Sequence, residues 1–513
     1  MTVIAFVVLA IYSISLLYIT VYCLLQFNLL YHYQRKPAEA ALPSYSIQWT
    51  INPHGKPCSA PATAAQPPFV TVQLPVFNEL YVVGRLIDAV AAFDWPRDRF
   101  EIHVLDDSTD ETVGVVAEKV AAYRKEGFQI RQLVRKNRDG FKAGALRDAT
   151  PEARGSFIAI FDADFVPAPD FLRRTIPYFE DPAVGVVQSR WEHLNEDYSL
   201  ITRLQAMQLN VHFTVEQTGR MNGGHLLQFN GTAGVWRHSA IEAGGGWQPD
   251  TLTEDLDLSI RAQLAGYRIQ FLEQLASPAE LPVEMNSFKS QQHRWMKGGA
   301  ETARKMLPSV WRSDLGFGHK VHATAHLLAS SIFLFVFVCA IFSVPLLFLL
   351  GELAEYGISK NVFAAFLAGL LSVIAVYYVA NVLSPANREV SFPRSVGKFL
   401  LLFPLFLALS MGLSLHNSIA VLQGYRGKRS PFVRTPKFNI NSVEDKFRSK
   451  RYFTGRLSAI TVGEGLLALY FLGAVGSAFY LQNTTFVVFH GLLAIGYGAI
   501  FAYSVKHLRP VAQ

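Results

Sequence analysis

Ser156-Phe157-Ile158-Ala159-Ile160-Phe161-Asp162-Ala163-Asp164 decides the reading of this chain. It is apolar up to Phe161 and then abruptly acidic. On an extended backbone, residues two apart point the same way, so Asp162 and Asp164 can face one ligand. Two hard oxygen donors of this kind suit Mg²⁺ or Mn²⁺, which also take oxygens from a diphosphate. The plain alternative is a solvated acidic turn, and only the surrounding sequence argues against it.

Moving outward, the same grammar repeats. Phe69–Leu74 and Phe100–Leu105 are further strand-like runs that end in polar clusters. Helical patterns lie around Leu80–Ala92 and Thr112–Lys125. Strands alternating with helices imply a mainly parallel sheet over residues 69–300. Ligands of such sheets sit beyond the carboxyl ends of the strands, where the acidic motifs fall. Asp106-Asp107 ends the run Ile102–Leu105, and a carboxylate there can accept hydrogen bonds from a ribose or a base. It can equally cap the turn that Ser108, Thr109 and Asp110 begin. Lys142, in Phe141-Lys142-Ala143-Gly144, opens a helical pattern where anions are favoured, and its charge suits a phosphate.

Two more motifs complete the set. Thr253-Glu254-Asp255 reads as the acidic first turn of a helix, which the helix dipole stabilises. The sharper reading makes Asp255 a general base for an acceptor hydroxyl. Gln291-Gln292-His293-Arg294-Trp295 offers an aromatic face for a sugar ring and an arginine fork for phosphate. The region 285–312 also reads as an amphipathic helix at a membrane surface, and the two readings are compatible.

Composition bounds the architecture. Half of the 513 residues are apolar and 17% are charged, with mean hydropathy +0.21. That balance implies part membrane and part globular protein. The net charge of +7 does not indicate nucleic acid, because the basic residues concentrate beside apolar segments, where membrane orientation explains them. Cys23, Cys58 and Cys339 form no CxxC pair, so neither a zinc site nor a disulfide framework is indicated.

The first 34 residues carry no formal charge, and 3–30 is long enough to cross a bilayer. Further spans are expected over about 321–350, 361–383, 457–481 and 485–505. The run 399–423 contains Pro404 and, late on, Ser414, His416, Asn417 and Gln423. The loop after it, 424–456, holds ten Lys/Arg against two acids. A spanning 399–423 would place that loop outside, against the positive-inside rule, so it is expected to lie in the interface or re-enter. The expected result is a multi-pass protein of the plasma or inner membrane, with its catalytic domain cytoplasmic and its N-terminus outside.

Together these residues resemble the processive family 2 glycosyltransferases, the cellulose, chitin and hyaluronan synthases. The resemblance is strongest to the plant cellulose-synthase-like A and C proteins, which build β-1,4-mannan and β-1,4-glucan. It is carried by Val72-Gln73-Leu74-Pro75-Val76-Phe77-Asn78-Glu79, Gln188-Ser189-Arg190-Trp191, Phe229-Asn230-Gly231-Thr232-Ala233-Gly234-Val235-Trp236-Arg237 and Gln291–Trp295. Phe432-Val433-Arg434-Thr435-Pro436-Lys437 is similar to the gating loop of cellulose synthases, with Arg434 where that family has Val.

The resemblance implies an α/β GT-A-type glycosyltransferase domain joined to an α-helical transmembrane bundle with interfacial helices. Expected boundaries are a first span over 1–34, a linker over 35–68 and the GT-A domain over 69–300. An interfacial helix (301–320), two spans (321–383), an interfacial segment with the basic gating-like loop (384–456), two spans (457–505) and a cytoplasmic tail (506–513) follow. Asp255 would be the catalytic base. Pro75, Glu79, Asp107, Lys142, Asp162, Gln291 and Arg294 would bind the nucleotide donor. Trp295, Glu254, Phe229 and Asn230 would meet the acceptor. Asp162 and Asp164 would hold Mg²⁺ or Mn²⁺. Phe432, Arg434, Thr435 and Lys437 would gate.

The implied partners are a nucleotide-sugar donor (UDP-glucose or GDP-mannose), a growing glycan and membrane lipids. The sequence identifies no export partner. The implied reaction is inverting β-1,4 polymerisation with coupled export. One rival is a non-processive enzyme that adds a single sugar to a membrane lipid. Another is a transporter or scaffold with an inactive domain.

Overall fold

The computed structural model describes residues 2–35, 66–358, 367–384, 390–428, 434–440, 445 and 457–508. Phe432, Cys58 and most of the 35–68 linker lie outside the described residues.

Among the described residues, seven strands form one sheet. They are β1 (Val70–Val76), β2 (Phe100–Asp106), β3 (Ile130–Val134), β4 (Phe157–Ile160), β5 (Val184–His193), β6 (Gly234–Arg237) and β7 (Arg268–Ala279). The order is β3-β2-β1-β4-β6-β5-β7. The first four in that order run parallel, β6 is antiparallel to both neighbours, and β5 pairs parallel with β7.

A strand buried on both faces reads as a continuous apolar run, and β4 shows why. Phe157 and Ala159 pack into one core with Val72, Leu74, Ile102 and Val104. Ile158 and Ile160 face the other, with Leu146, Trp236 and Phe271. The helices Val83–Ala91, Thr112–Lys125 and Phe141–Ala149 flank the sheet where the sequence patterns place them.

Five helices among the described residues are long and apolar enough to cross a membrane: Val3–Gln34, Ala329–Glu355, Phe392–Gly412, Ala459–Tyr480 and Val487–Lys506. Leu367–Leu383 is a shorter apolar helix, and residues 359–366 ahead of it lie outside the described set. The N-terminal helix is fastened to the sheet domain at its far end. Tyr33 donates to Glu273 at 2.9 Å, and Asn222 donates to the His32 carbonyl at 3.1 Å.

Two expectations change. The run 399–423 is not one element: Pro404 is accommodated within Phe392–Gly412, and the break comes at Leu413, before a second helix, Ser414–Tyr425. One end of this pair meets the sheet domain and the other meets the helix Met285–Arg312 that leaves it. Lys398 bonds Glu196 at 2.7 Å at one end; Arg304 donates to the Tyr425 carbonyl at 3.2 Å at the other. The boundary at residue 300 also falls inside a continuous helix, Met285–Arg312, after which Phe317–Leu327 starts anew.

Small residues let membrane helices approach closely. A Cβ at Gly496 would overlap the Ala408 carbonyl, and one at Gly412 would overlap the Gly496 backbone. Gly496→Val is therefore expected to destabilise the helical bundle by about 1–3 kcal/mol or more. A lowered thermal midpoint of the detergent-solubilised protein would register it.

Candidate active site

A cavity of about 890 Å³ opens at the carboxyl ends of the strands. Its walls include Pro75, Glu79, Asp107, Lys142, Asp162, Asp164, Asn230, Glu254, Asp255, Gln291, Arg294, Trp295, Arg434, Thr435 and Lys437. Residues up to 362 positions apart in the chain (437 − 75) thus meet in one volume.

The floor is built on the strand ends. Asp106 closes β2 fully buried, accepting from the Ser108 N–H at 2.9 Å and Gln132 at 2.8 Å, so it is the structural member of its pair. Asp107 faces the cavity, gripped by Arg135 through two bonds of 2.9 and 2.5 Å. Arg138 lies over the Phe77 ring at 3.2 Å, giving this end a cationic, aromatic wall. Lys142 sits in the first turn of Phe141–Ala149 and reaches Asp162 at 2.5 Å and the Gly231 carbonyl at 2.9 Å. Burial opposes its charge, but Asp162 and Glu254 outweigh that and raise its pKa.

The opposite wall is two helices braced together. Glu254–Leu264 carries Glu254 and Asp255 in its first turn, as the sequence suggests. Gly298 of Met285–Arg312 lies where any Cβ would press on Leu252 and Thr253. Thr302 bonds Thr253 at 2.9 Å, and Lys305 reaches the buried Asp257 at 3.1 Å. The helix with Gln291, Arg294 and Trp295 is thereby registered against the one with Asp255. Burial first, and then the charge of Glu254, push the Asp255 carboxyl up to about 7. Burial likewise raises Glu254. It also lowers the Arg294 guanidinium to about 10.

The turn Phe229–Ala233 ties the parts. Phe229 N–H donates to Ser259, on the Asp255 helix, at 2.9 Å. Asn230 N–H donates to Gln188 at 3.0 Å, and Thr232 Oγ1 accepts from the Asp162 N–H at 2.8 Å. One sequence expectation fails here. Phe229 is fully buried, its ring edge-on to Trp236 at 5.4 Å, so its side chain packs the core and does not meet an acceptor. Its neighbour Asn230 lines the cavity.

The basic segment closes the remaining side. Arg434 forks onto Glu79 at 2.9 and 2.8 Å. Thr435 accepts from Arg294 at 2.9 Å, and Lys437 bonds Asp164 at 2.7 Å. Burial pushes Glu79 up to about 7 despite Arg434. The segment is docked by residues the sequence reading missed. Glu280, just after β7, accepts from the Phe438 and Ile440 N–H groups at 2.8 and 3.3 Å, and Arg85 bonds Asn439 at 2.7 Å. Arg135, Glu280 and Arg85 act across the fold, so no local pattern announces them.

Among the described residues, no three His, Cys, Asp or Glu side chains converge on a self-sufficient metal cage. Asp162 and Asp164 each hold a lysine ammonium instead. Two carboxylates that already accommodate positive charge fit a divalent ion that completes its shell with diphosphate and water oxygens.

A mixed sheet with a cavity at its strand ends, acids at β4 and an aromatic-basic helix opposite is the architecture of a GT-A glycosyltransferase. Residues 67–298 match the family described as Glycosyltransferase like family 2. Glucomannan 4-beta-mannosyltransferase 2 of Arabidopsis thaliana is 44% identical over 261 residues, 50% of this chain and 49% of the relative. Glucomannan 4-beta-mannosyltransferase 1 of Oryza sativa subsp. japonica is 36% identical over 396 residues, 75% of this chain and 71% of the relative. Among solved structures, a mannosyltransferase from Pyrobaculum calidifontis, in complex with GDP-Man and Mn²⁺, superposes with TM-score 0.53 and 18% identity. It covers 82% of this chain and 100% of its own, a likeness of fold. The chain belongs to glycosyltransferase family 2, among the cellulose-synthase-like A proteins, and is a glycosyltransferase. The resemblance drawn from its motifs is borne out.

Proposed function

We propose that this protein is an inverting, metal-dependent β-mannosyltransferase that extends a β-1,4-linked glycan at a membrane from GDP-mannose. The observation that carries this is one cavity in which a raised carboxyl and a cluster of acids and cations that suits a diphosphate stand side by side. Asp255, raised to about 7, shares the cavity wall with Asp162, Asp164, Lys142 and Arg294, and Gly231 lies between it and Lys142. The relatives named glucomannan 4-beta-mannosyltransferases favour mannose over glucose.

In this reading Pro75, Glu79 and Asp107 hold the nucleoside, and Lys142 and Arg294 meet the diphosphate charge. Asp162 and Asp164 would hold Mg²⁺ or Mn²⁺, which neutralises the leaving diphosphate. Gln291 joins the donor side, and Trp295 receives the end of the glycan by stacking on a sugar ring. Asp255 takes the proton of the acceptor hydroxyl as its oxygen attacks the anomeric carbon opposite the nucleotide, so one displacement inverts that centre. Arg434, Thr435 and Lys437 cover the donor.

The catalytic domain faces the cytoplasm, with the N-terminus outside. The pair Phe392–Tyr425 re-enters, which its contacts at both ends support. Export is supported by polar side chains buried between the Gln291–Trp295 helix and the spans. Lys289 bonds Glu464 at 2.6 Å and Thr461 at 3.2 Å, and His416 meets the Lys289 carbonyl at 2.9 Å.

Purified protein is expected to release GDP from GDP-mannose in Mg²⁺ or Mn²⁺ and to leave an alkali-insoluble, mannanase-sensitive product. A glycan made only from UDP-glucose would move the donor to glucose. A lipid-soluble product carrying a single sugar would favour the lipid-acceptor reading. No release of nucleotide from either donor would sink the enzyme assignment.

A further inference from the structure

Asn230 lines the cavity beside Gly231, where a Cβ would lie 3.0 Å from the Asp255 carboxylate. Its backbone is fixed by Gln188, but an asparagine amide can present either face unless something holds its side chain. The structure shows what does. Asn230 Oδ1 lies 2.7 Å from His212 Nε2. His212 Nδ1 lies 3.0 Å from Glu216 Oε2, and Arg220 holds that same oxygen from behind with two contacts of 3.3 Å. The His212 ring is braced edge-on against Phe213 at 4.8 Å.

The backbone here is unusual. The helix Leu200–Val211 widens into a π turn over His212–Glu216 before resuming at Gln217. A π turn is a less favourable helix geometry that recurs at functional sites, where it re-aims a side chain. Here it brings His212 to Asn230 and Glu216 to Arg220. Arg220 is 4% and Glu216 16% exposed. Burial alone would raise the Glu216 carboxyl, but Arg220 and then His212 outweigh it and hold it well below the usual range. Ion pairs drawn out of water stabilise a fold weakly and are best attested where they fix one arrangement.

We propose that His212 is a positioning residue for glycan transfer. With a proton on each ring nitrogen it donates from Nδ1 to Glu216, itself held by Arg220, and from Nε2 to the Asn230 side-chain oxygen, which leaves the amide N–H groups to the acceptor sugar beside Asp255. Among the described residues that nitrogen makes one bond, a long one to the Gln228 carbonyl at 3.4 Å. An amide N–H donated to a sugar hydroxyl or ring oxygen fixes the acceptor ring while Asp255 deprotonates the attacking hydroxyl. This role rests on the proposed function and adds to it a residue that lies behind the cavity wall.

The test uses the full chain in detergent or nanodiscs, with GDP-mannose and a short β-1,4-mannan oligosaccharide. Transfer to the glycan is measured separately from nucleotide release to water. His212→Ala and Glu216→Gln are expected to raise the oligosaccharide KM by about tenfold, the scale of one lost charge-assisted hydrogen bond. GDP affinity and nucleotide release to water stay at the wild-type level. Asn230→Ala gives the same loss, and His212→Ala/Asn230→Ala gives no more, because the two act as one unit. His212→Gln, which keeps a donor near the Nε2 position, recovers part of the acceptor affinity.

Additive losses in the double variant would overturn the proposal. So would an equal fall in donor and acceptor parameters, or an unchanged acceptor KM in the Asn230→Ala chain. A wild-type chain that bound no nucleotide sugar would overturn the underlying function, and this role with it.

Discussion

Asp255→Asn is expected to lower the rate of sugar transfer by about two to four orders of magnitude while leaving nucleotide-sugar binding intact. Asparagine matches aspartate in shape and can still accept the Leu256 N–H, which bonds Asp255 at 2.8 Å. What it cannot do is take a proton. The same group sets a pH limb. Burial, and then Glu254, raise the Asp255 carboxyl to about 7. A base works only with its proton off, so kcat/KM should fall as pH drops through about 7 and level off above it. Glu79 is raised to about 7 as well, by burial, and titrates in the same window. Glu79→Gln separates the two: the limb persists in that variant if Asp255 owns it. Loss of GDP binding in Asp255→Asn, measured by calorimetry, would make Asp255 a structural acid of its helix.

Much of this site is legible in the sequence, for reasons that differ by residue. The run into Asp162-Ala163-Asp164 is readable because a parallel strand buried on both faces leaves an unbroken apolar signature, and the acids begin where burial ends. The helix with Asp255 is readable from its acidic first turn. What depends on distant partners is not. Asp107 is held by Arg135, 28 positions away, and no periodicity links them. Asp106 and Asp107 look equivalent in sequence, yet one is buried under Gln132 and the other opens to the cavity.

Phe229 and Asn230 show the limit of reading motifs whole. Phe229 packs the core while its neighbour Asn230 lines the cavity, a division that the motif as a string of residues does not reveal. Gln188-Ser189-Arg190-Trp191 likewise carries a family signature that conceals its structural duty as part of β5, whose pairing with β7 is non-local. The turn His212–Glu216 is hidden for another reason: its side-chain pattern continues that of the helix before it, and only the backbone shows the widening.

Asp164 has two duties, loop docking and metal binding, and its replacement should separate them. Its carboxylate meets Lys437 at 2.7 Å, with side-chain exposures of 11% and 10% for the lysine and the acid. A divalent ion held by Asp162 and Asp164 needs that same carboxylate. Removing an oxygen donor forfeits several kcal/mol of charge stabilisation, so Asp164→Asn should reduce transfer by on the order of a hundredfold or more and require more Mn²⁺. Asp162→Asn should impair metal use similarly. It should nonetheless leave the 434–440 segment docked, because Asp162 pairs with Lys142 on the other side. Asp164→Asn should leave Lys437 with the Glu280 carbonyl as its partner and make that segment more open to limited proteolysis.

Lys437→Met then has a counter-intuitive expected result. With the ammonium gone, a metal at Asp164 meets one cation fewer, so the Mn²⁺ concentration for half-maximal transfer should fall several-fold, even as the loop covers the donor less well and maximal transfer declines. The ammonium cannot simply vanish without consequence, since an acid stripped of its buried partner is destabilised by about 3–5 kcal/mol. That unsatisfied charge is what the metal would relieve. A half-saturating Mn²⁺ concentration that stays put or rises in Lys437→Met would mean that loop docking and metal binding do not share Asp164.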